Sequence, residues 1–150
     1  MSKGKRHILI IVFVLYCMAL AYLTLLKGIG ATFDMSYAEY LKASSNFIPF
    51  FSFYVFLTTP YKSAVVVKYF ITGLIGNLLL FLPWGLLLPS IVEKLRSFKR
   101  FFIFTTLVII AIEFLQLFLM LGSCDIEDYL LNIIGAVAGF FLYRKLDFLH

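Results

Sequence analysis

Apolar residues in this chain come in long unbroken runs, separated by short stretches that hold most of the polar and charged positions. Four runs stand out: Ile8 to Leu26, about Tyr69 to Val92, Phe101 to Leu121, and Tyr129 to Tyr143. A helix needs about 20 apolar residues to cross about 30 Å of hydrocarbon, so the first three are long enough. The fourth is the shortest, roughly 22 Å of helix. Between the first and second runs lies a long segment from Lys27 to Lys68, in which Gly28 and Gly30 are expected to break the first helix. Asp34 to Ala43 fits a short surface helix with Asp34 or Ser36 as its N-cap. Phe47 to Leu57 is intensely aromatic but too short to cross. The pattern therefore predicts an all-α fold. It is a four-helix transmembrane bundle forming one domain, with an aromatic interfacial or re-entrant segment in the long outer loop.

Composition strengthens this picture. The 150-residue chain is 63% hydrophobic and 14% charged, with a mean hydropathy of +1.01. A soluble domain of this size exposes too much of its surface to hide that much apolar area. Ala19-Leu20-Ala21 imitates a signal-peptide cleavage site, but apolar sequence continues through Leu26, so the first run reads as a span. The 18 Phe and 9 Tyr suit a bilayer, whose boundaries collect aromatic side chains.

Charge then gives orientation. The net charge of +5 does not form a basic face, so no nucleic-acid partner is expected. Instead, Lys3, Lys5 and Arg6 precede the first run, Lys94, Arg96, Lys99 and Arg100 separate the second from the third, and Arg144 and Lys145 follow the fourth. With the termini inside, these nine of the 13 basic residues are cytoplasmic. Lys27, Lys42, Lys62 and Lys68 stay outside, and the split favours both termini in the cytoplasm. Cys17 and Cys124 read as small, buried or half-buried thiols rather than a disulfide. His7 and His150 lie near the two ends. No metal or nucleotide motif is present, and no cofactor is identified.

The informative residues are the polar ones in or beside the runs, because a charge at mid-membrane costs at least about 2.5–3.5 kcal/mol. Glu113 lies inside the third run, with Gln116 one turn on and expected on the same face. The short fourth run implies that Asp125, Glu127 and Asp128 sit below the outer surface. There they need a protein-walled, water-accessible hollow. Asn132 follows Asp128 by one turn, and Gly135-x-x-x-Gly139 continues that face as a small-residue motif for close helix packing. On the second run, Asn77 lies at a depth like that of Glu113. Pro83 removes a backbone hydrogen bond near Leu79 and is expected to kink the helix. Asn77, Glu113, Gln116, Asp128 and Asn132 are all expected in the outer half of the membrane, paired with one another rather than facing lipid.

Four pieces of the sequence carry a resemblance to a known family. They are Asn46 to Phe50 with Pro49; Asn77, Phe81, Pro83 and Gly85; Glu113 with Gln116; and Asp125, Glu127 and Asp128 followed by Asn132, Gly135 and Gly139. In this order and spacing the chain resembles the VanZ-like membrane proteins, named for a factor associated with teicoplanin resistance. It departs from the family's pattern in two places: an Arg often found just before the acidic motif is absent, Ser123 and Cys124 occupying that stretch, and the central acid is Glu127 where Asp is common. The resemblance implies a bacterial cell-membrane protein concerned with glycopeptide susceptibility, and it adds Asn46 to the candidate ligand-binding residues.

Three functions follow. In the first, Asn46, Asn77, Glu113, Gln116, Asp125, Glu127, Asp128 and Asn132 bind or help modify a lipid-linked cell-envelope precursor from the outer leaflet. In the second, Glu113 and Asp128 are the acid and base of a membrane enzyme acting on a lipid headgroup, or bind a divalent ion through oxygen. In the third, the polar residues only hold helices together in a non-catalytic interaction subunit. The expected partners are membrane lipids and a lipid-linked precursor, and the small-residue motif leaves an oligomer open.

Overall fold

The structure, a computed structural model, describes residues 3–26, 29 and 34–146. Gly28, Gly30, Lys27 and His150 lie outside the described residues. The chain is an all-α membrane bundle. Among the described residues, four helices are long and apolar enough to cross a bilayer: α1 (Lys3–Ala21, continued by a π-helical turn over Tyr22–Leu26), α4 (Ala64–Ile91), α5 (Phe98–Phe118) and α6 (Ile126–Lys145). Two shorter helices, α2 (Tyr37–Ala43) and α3 (Phe51–Thr58), occupy the long connection between α1 and α4. With four such helices, the start of α1 and the end of α6 lie at one end of the bundle, together with the tight 3-10 turn Glu93–Arg96 that joins α4 to α5.

Helix bounds differ from the apolar runs where charge misled the sequence reading. α4 starts at Ala64, one turn before Lys68, because Ser63 caps it: its hydroxyl accepts from the Val66 N–H at 3.3 Å. A lysine one turn inside a helix end can extend its ammonium to the interface. α6 starts at Ile126, so it is not a short span: its 20 residues cover about 30 Å. Asp125 is its N-cap, the side chain accepting from the Glu127 N–H at 2.8 Å, and Glu127 and Asp128 form its first turn. Carboxylates there face the positive end of the helix dipole. The acids that seemed to end an apolar run in fact begin a helix.

α4 and α6 form the tightest pair. They run parallel, Leu78 lying against Gly135 and Leu82 against Gly139. A Cβ at either glycine would fall on the carbonyl oxygen of its partner, and one at Gly85 would meet the Ala136 carbonyl and the Phe140 amide. Gly135-x-x-x-Gly139 and Gly85 thus let the two backbones touch, as small residues do in lipid, where packing rather than hydrophobicity drives association. α4 continues through Pro83 and Pro89 to Ile91. Pro83 leaves the Leu79 carbonyl without its helical donor, and just beyond it the Tyr16 hydroxyl of α1 donates to the Leu80 carbonyl at 2.7 Å. The core between the spans holds Phe81, Trp84, Phe101, Ile109, Ala136 and Phe140. The Trp84 indole N–H there donates to Thr105 Oγ1 at 3.1 Å.

At the end of the bundle away from the termini, the connections are tied to one another. α5 closes with a left-handed residue, Met120 at φ 54°, while the Leu121 N–H donates back to the Gln116 carbonyl at 2.8 Å. This is the six-to-one closure of a Schellman turn. α2 is capped by Ser36 and Glu39 in a reciprocal capping box. Its Tyr40 hydroxyl donates to the Gly122 carbonyl, and Tyr37 donates to the Phe118 carbonyl at 3.2 Å. A two-residue parallel bridge then pairs β1 (Ser45–Asn46) with β2 (Cys124–Asp125). The bridge sets the aromatic segment that follows Asn46 beside the first turn of α6.

Candidate functional site

The polar cluster is organised around that first turn. Asn46, fixed by the bridge, donates from Nδ2 to both oxygens of Asp125 at 3.3 and 3.1 Å, while its own Oδ1 accepts from the Ile48 N–H at 3.1 Å. The Asp125 N–H donates to Glu113 Oε2 at 3.4 Å. Glu127 Oε1 accepts from the Ser52 N–H at 2.8 Å, so the first turn of α3 is held against the first turn of α6. Asn77 on α4 donates from Nδ2 to Asp128 Oδ1. Four elements of the chain, β1, α3, α4 and α5, therefore converge on Asp125, Glu127 and Asp128.

Glu113 reaches this cluster because it belongs to the buried row of α5, Phe101, Thr105, Ile109, Glu113 and Leu117, one residue every four. Gln116 stands off that row. Its Nε2 donates to the Thr24 carbonyl at 2.9 Å, in the π-helical turn that ends α1. The expectation that Gln116 shares the face of Glu113 does not hold for their contacts: one turns to Asp125, the other to α1. Asn132, one turn below Asp128, is 5% exposed, and its Oδ1 is buried without a hydrogen-bond partner.

The cluster opens into two hollows, one on each side of the α6 turn. A smaller one of about 180 Å³ lies between α3, α4 and α6, lined by Ser52, Phe53, Phe70, Gly73, Leu74, Glu127, Asp128 and Leu131. A larger, mostly apolar one of about 370 Å³ lies between α5, α6 and Phe47, with Glu113, Asp125 and Cys124 among its lining. Asn46, Asn77, Glu113, Asp125, Glu127 and Asp128 thus gather at one helical turn but not in one cavity, while Gln116 and Asn132 stand apart. Asn46 and Asn77 act as donors that orient Asp125 and Asp128, and neither lines a hollow. Among the described residues, no lysine, arginine or histidine lines either hollow.

Cys124 is buried, and burial pushes its thiol up from the ordinary range, with Glu113 and Asp125 adding to the rise. It stays a neutral thiol, far from a thiolate nucleophile. Among the described residues no group of three or more His, Cys, Asp or Glu side chains is arranged to hold a metal ion.

Two contributors had no signature in the sequence. The Ser52 amide acts through its backbone, and the Thr24 carbonyl is reached only because of where α1 ends. Asp125, by contrast, carried a helix-start signal as an acid two and three residues ahead of further acids and an apolar run.

The fold and its cluster define a multi-pass helical membrane protein with a carboxylate site at one end of the bundle. Residues 13–149 match the VanZ/LLP1 family model. The chain belongs to the VanZ/LLP1 family, as the motifs from Asn46 to Gly139 implied. Comparison with curated proteins and with solved structures found no match.

Proposed function

We propose that this protein binds or modifies a lipid-linked component of the cell envelope at the Asp125–Asp128 cluster, working from the outer leaflet of the bacterial cell membrane, and that it thereby influences glycopeptide susceptibility. The observation that carries the reading is the pair of hollows flanking the α6 turn, each combining carboxylates with aromatic or aliphatic walls. Such a surface suits a molecule with one polar and one greasy end. Purely structural carboxylates have no need of openings beside them. The outer-leaflet assignment rests on the basic residues, nine of 13 lying on the terminal side of the four spans.

The test is a pair of conservative variants, Glu113→Gln and Asp128→Asn, expressed at wild-type levels in the membrane. Loss of the teicoplanin phenotype with normal insertion is the expected outcome. An unchanged phenotype in both variants would remove the site and leave a structural role for the cluster. Orientation is tested separately, in a chain whose Cys17 and Cys124 are replaced by Ala. An impermeant thiol reagent should label Tyr61→Cys in intact cells and leave Lys94→Cys unlabelled.

A further inference from the structure

We infer that the hollow between α3, α4 and α6 receives a primary ammonium group carried by a membrane amphiphile, held between the Glu127 and Asp128 carboxylates and the rings of Phe53 and Phe70. The inference rests on the reading of this cluster as an amphiphile site and narrows it to one headgroup chemistry.

Three independent features select that chemistry. The first is the state of the carboxylates. Glu127 Oε1 is taken by the Ser52 N–H and Asp128 Oδ1 by Asn77, which leaves Oε2 and Oδ2 without a donor among the described residues. Both side chains line the hollow. The lining thus offers two free carboxylate oxygens against one hydroxyl donor, that of Ser52, which favours a ligand that supplies N–H or O–H groups.

The second feature is the opposite wall. Phe70 is fixed by Phe56, stacked on it with centroids 4.1 Å apart, and by Phe53 at right angles to it at 5.1 Å. Phe53 and Phe70 line the hollow. Aromatic faces attract cations through the ring quadrupole. This stack already takes one ammonium, since Lys62 Nζ lies 5.2 Å from the centroid of Phe56. The third feature is that, among the described residues, no basic side chain lines the hollow. A phosphate or carboxylate headgroup would meet two carboxylates with nothing to neutralise it, so an anionic lipid is repelled. A quaternary ammonium satisfies the rings but has no N–H for the free oxygens. A primary ammonium satisfies both walls.

Gly73 gives a way to close the hollow without touching a charge. It lines the wall on α4, and a Cβ built there meets nothing within 4 Å. The full chain is placed in nanodiscs containing equal amounts of phosphatidylcholine, phosphatidylethanolamine and phosphatidylglycerol, and the lipids that remain bound on release are counted by native mass spectrometry. The ethanolamine lipid should be retained at least about tenfold over the other two, the scale of one hydrogen bond to a charged group. Glu127→Gln, Asp128→Asn and Gly73→Leu should each abolish the preference.

Equal retention of the choline and ethanolamine lipids by the wild type, or preference for the glycerol lipid, overturns the inference. So does a preference that survives in Gly73→Leu, a variant that keeps both carboxylates should the amide variants fail to fold. Failure here is separable from failure of the proposed function. Absent lipid selectivity with a lost teicoplanin phenotype in Glu113→Gln removes only the ammonium assignment. Selectivity for ethanolamine with an unchanged phenotype in Glu113→Gln and Asp128→Asn removes the link to susceptibility and leaves the ammonium site standing.

Discussion

Replacing Gly135 or Gly139 with alanine should destabilise this protein, whereas the same change at Gly76 should not. A Cβ at Gly135 falls on the Leu78 carbonyl oxygen and lies only 3.0 Å from its carbon and 3.3 Å from its Cα. At Gly139 the obstacle is the Leu82 carbonyl, with its carbon at 3.0 Å and the Leu86 nitrogen also at 3.0 Å. All of these are backbone atoms, so no side chain can swing away. Relaxed C···O contacts lie at about 3.3–3.6 Å, which requires α4 and α6 to part by about 1 Å or more. Overpacking of this kind costs about 1–3 kcal/mol, with immovable obstacles at the upper end. Against it stands the better helix propensity of alanine, worth about 0.8–1 kcal/mol. The net loss is about 2 kcal/mol per site. At Gly76 a Cβ meets nothing within 4 Å, so only the propensity gain remains.

The assay is reversible unfolding in mixed detergent and SDS micelles, followed by far-ultraviolet circular dichroism. The Gly135→Ala and Gly139→Ala midpoints should fall and the Gly76→Ala midpoint should hold or rise. Because Asn77 and Asp128 bridge the same seam, parting the helices at Gly135 should also weaken that bond. The ethanolamine preference should therefore decline in Gly135→Ala before the helix content does. Wild-type midpoints for both seam variants would refute backbone contact between α4 and α6.

Three further outcomes follow from single contacts. Thr105→Val leaves the indole N–H of Trp84, the single tryptophan, without its acceptor. It should cost about 1–3 kcal/mol and shift tryptophan emission to shorter wavelength. Gln116→Leu removes the tie to the Thr24 carbonyl and should lower stability by about 0.6–1.5 kcal/mol, while lipid selectivity is unaltered because Gln116 lines neither hollow. The carboxyl of Glu39 is held below the ordinary glutamate range by the Ser36 hydroxyl and then by the Ser36 N–H. A lowered folded value means that the contribution of this capping box is present above the ordinary glutamate range and disappears as pH falls through the folded value. Carboxyl carbon NMR should show the low titration point, and Ser36→Ala should raise it toward the ordinary range, leaving the part due to the backbone N–H.

Much of the bundle could be read from the sequence because lipid demands an apolar exterior, and long apolar runs report it directly. Polar residues in those runs were equally legible by their cost, which is why Asn77, Glu113, Asp125, Glu127 and Asp128 were singled out, and they now stand around the first turn of one helix. Asn46 had no such signal: it precedes an aromatic stretch like any loop asparagine and entered through the family resemblance. Gln116 shows the limit of helical spacing. Residues three apart are neighbours on a helix surface, yet the buried row of α5 advances by four to Leu117, and Gln116, about 100° round from Leu117, turns to α1.

What no spacing rule could supply is the division of the cluster between two hollows. That division depends on where the chain crosses the end of the bundle. The parallel bridge at Ser45–Asn46 and Cys124–Asp125 brings Phe47 against the α5–α6 side, and the Ser52 amide carries α3 to the α4 side. The first is a backbone pairing between segments 79 residues apart, and the second joins a backbone N–H to the Glu127 carboxylate 75 residues on, so neither shows in the side chains of the connecting segment. The consequence is functional. Asp125 and Glu113 border a mostly apolar space, whereas Glu127 and Asp128 border a small aromatic one, so neighbouring acids of one helical turn meet different surroundings. A variant series that treats the acidic motif as a unit would average over that difference. Glu127→Gln and Glu113→Gln, measured separately for lipid retention and for susceptibility, should not behave alike.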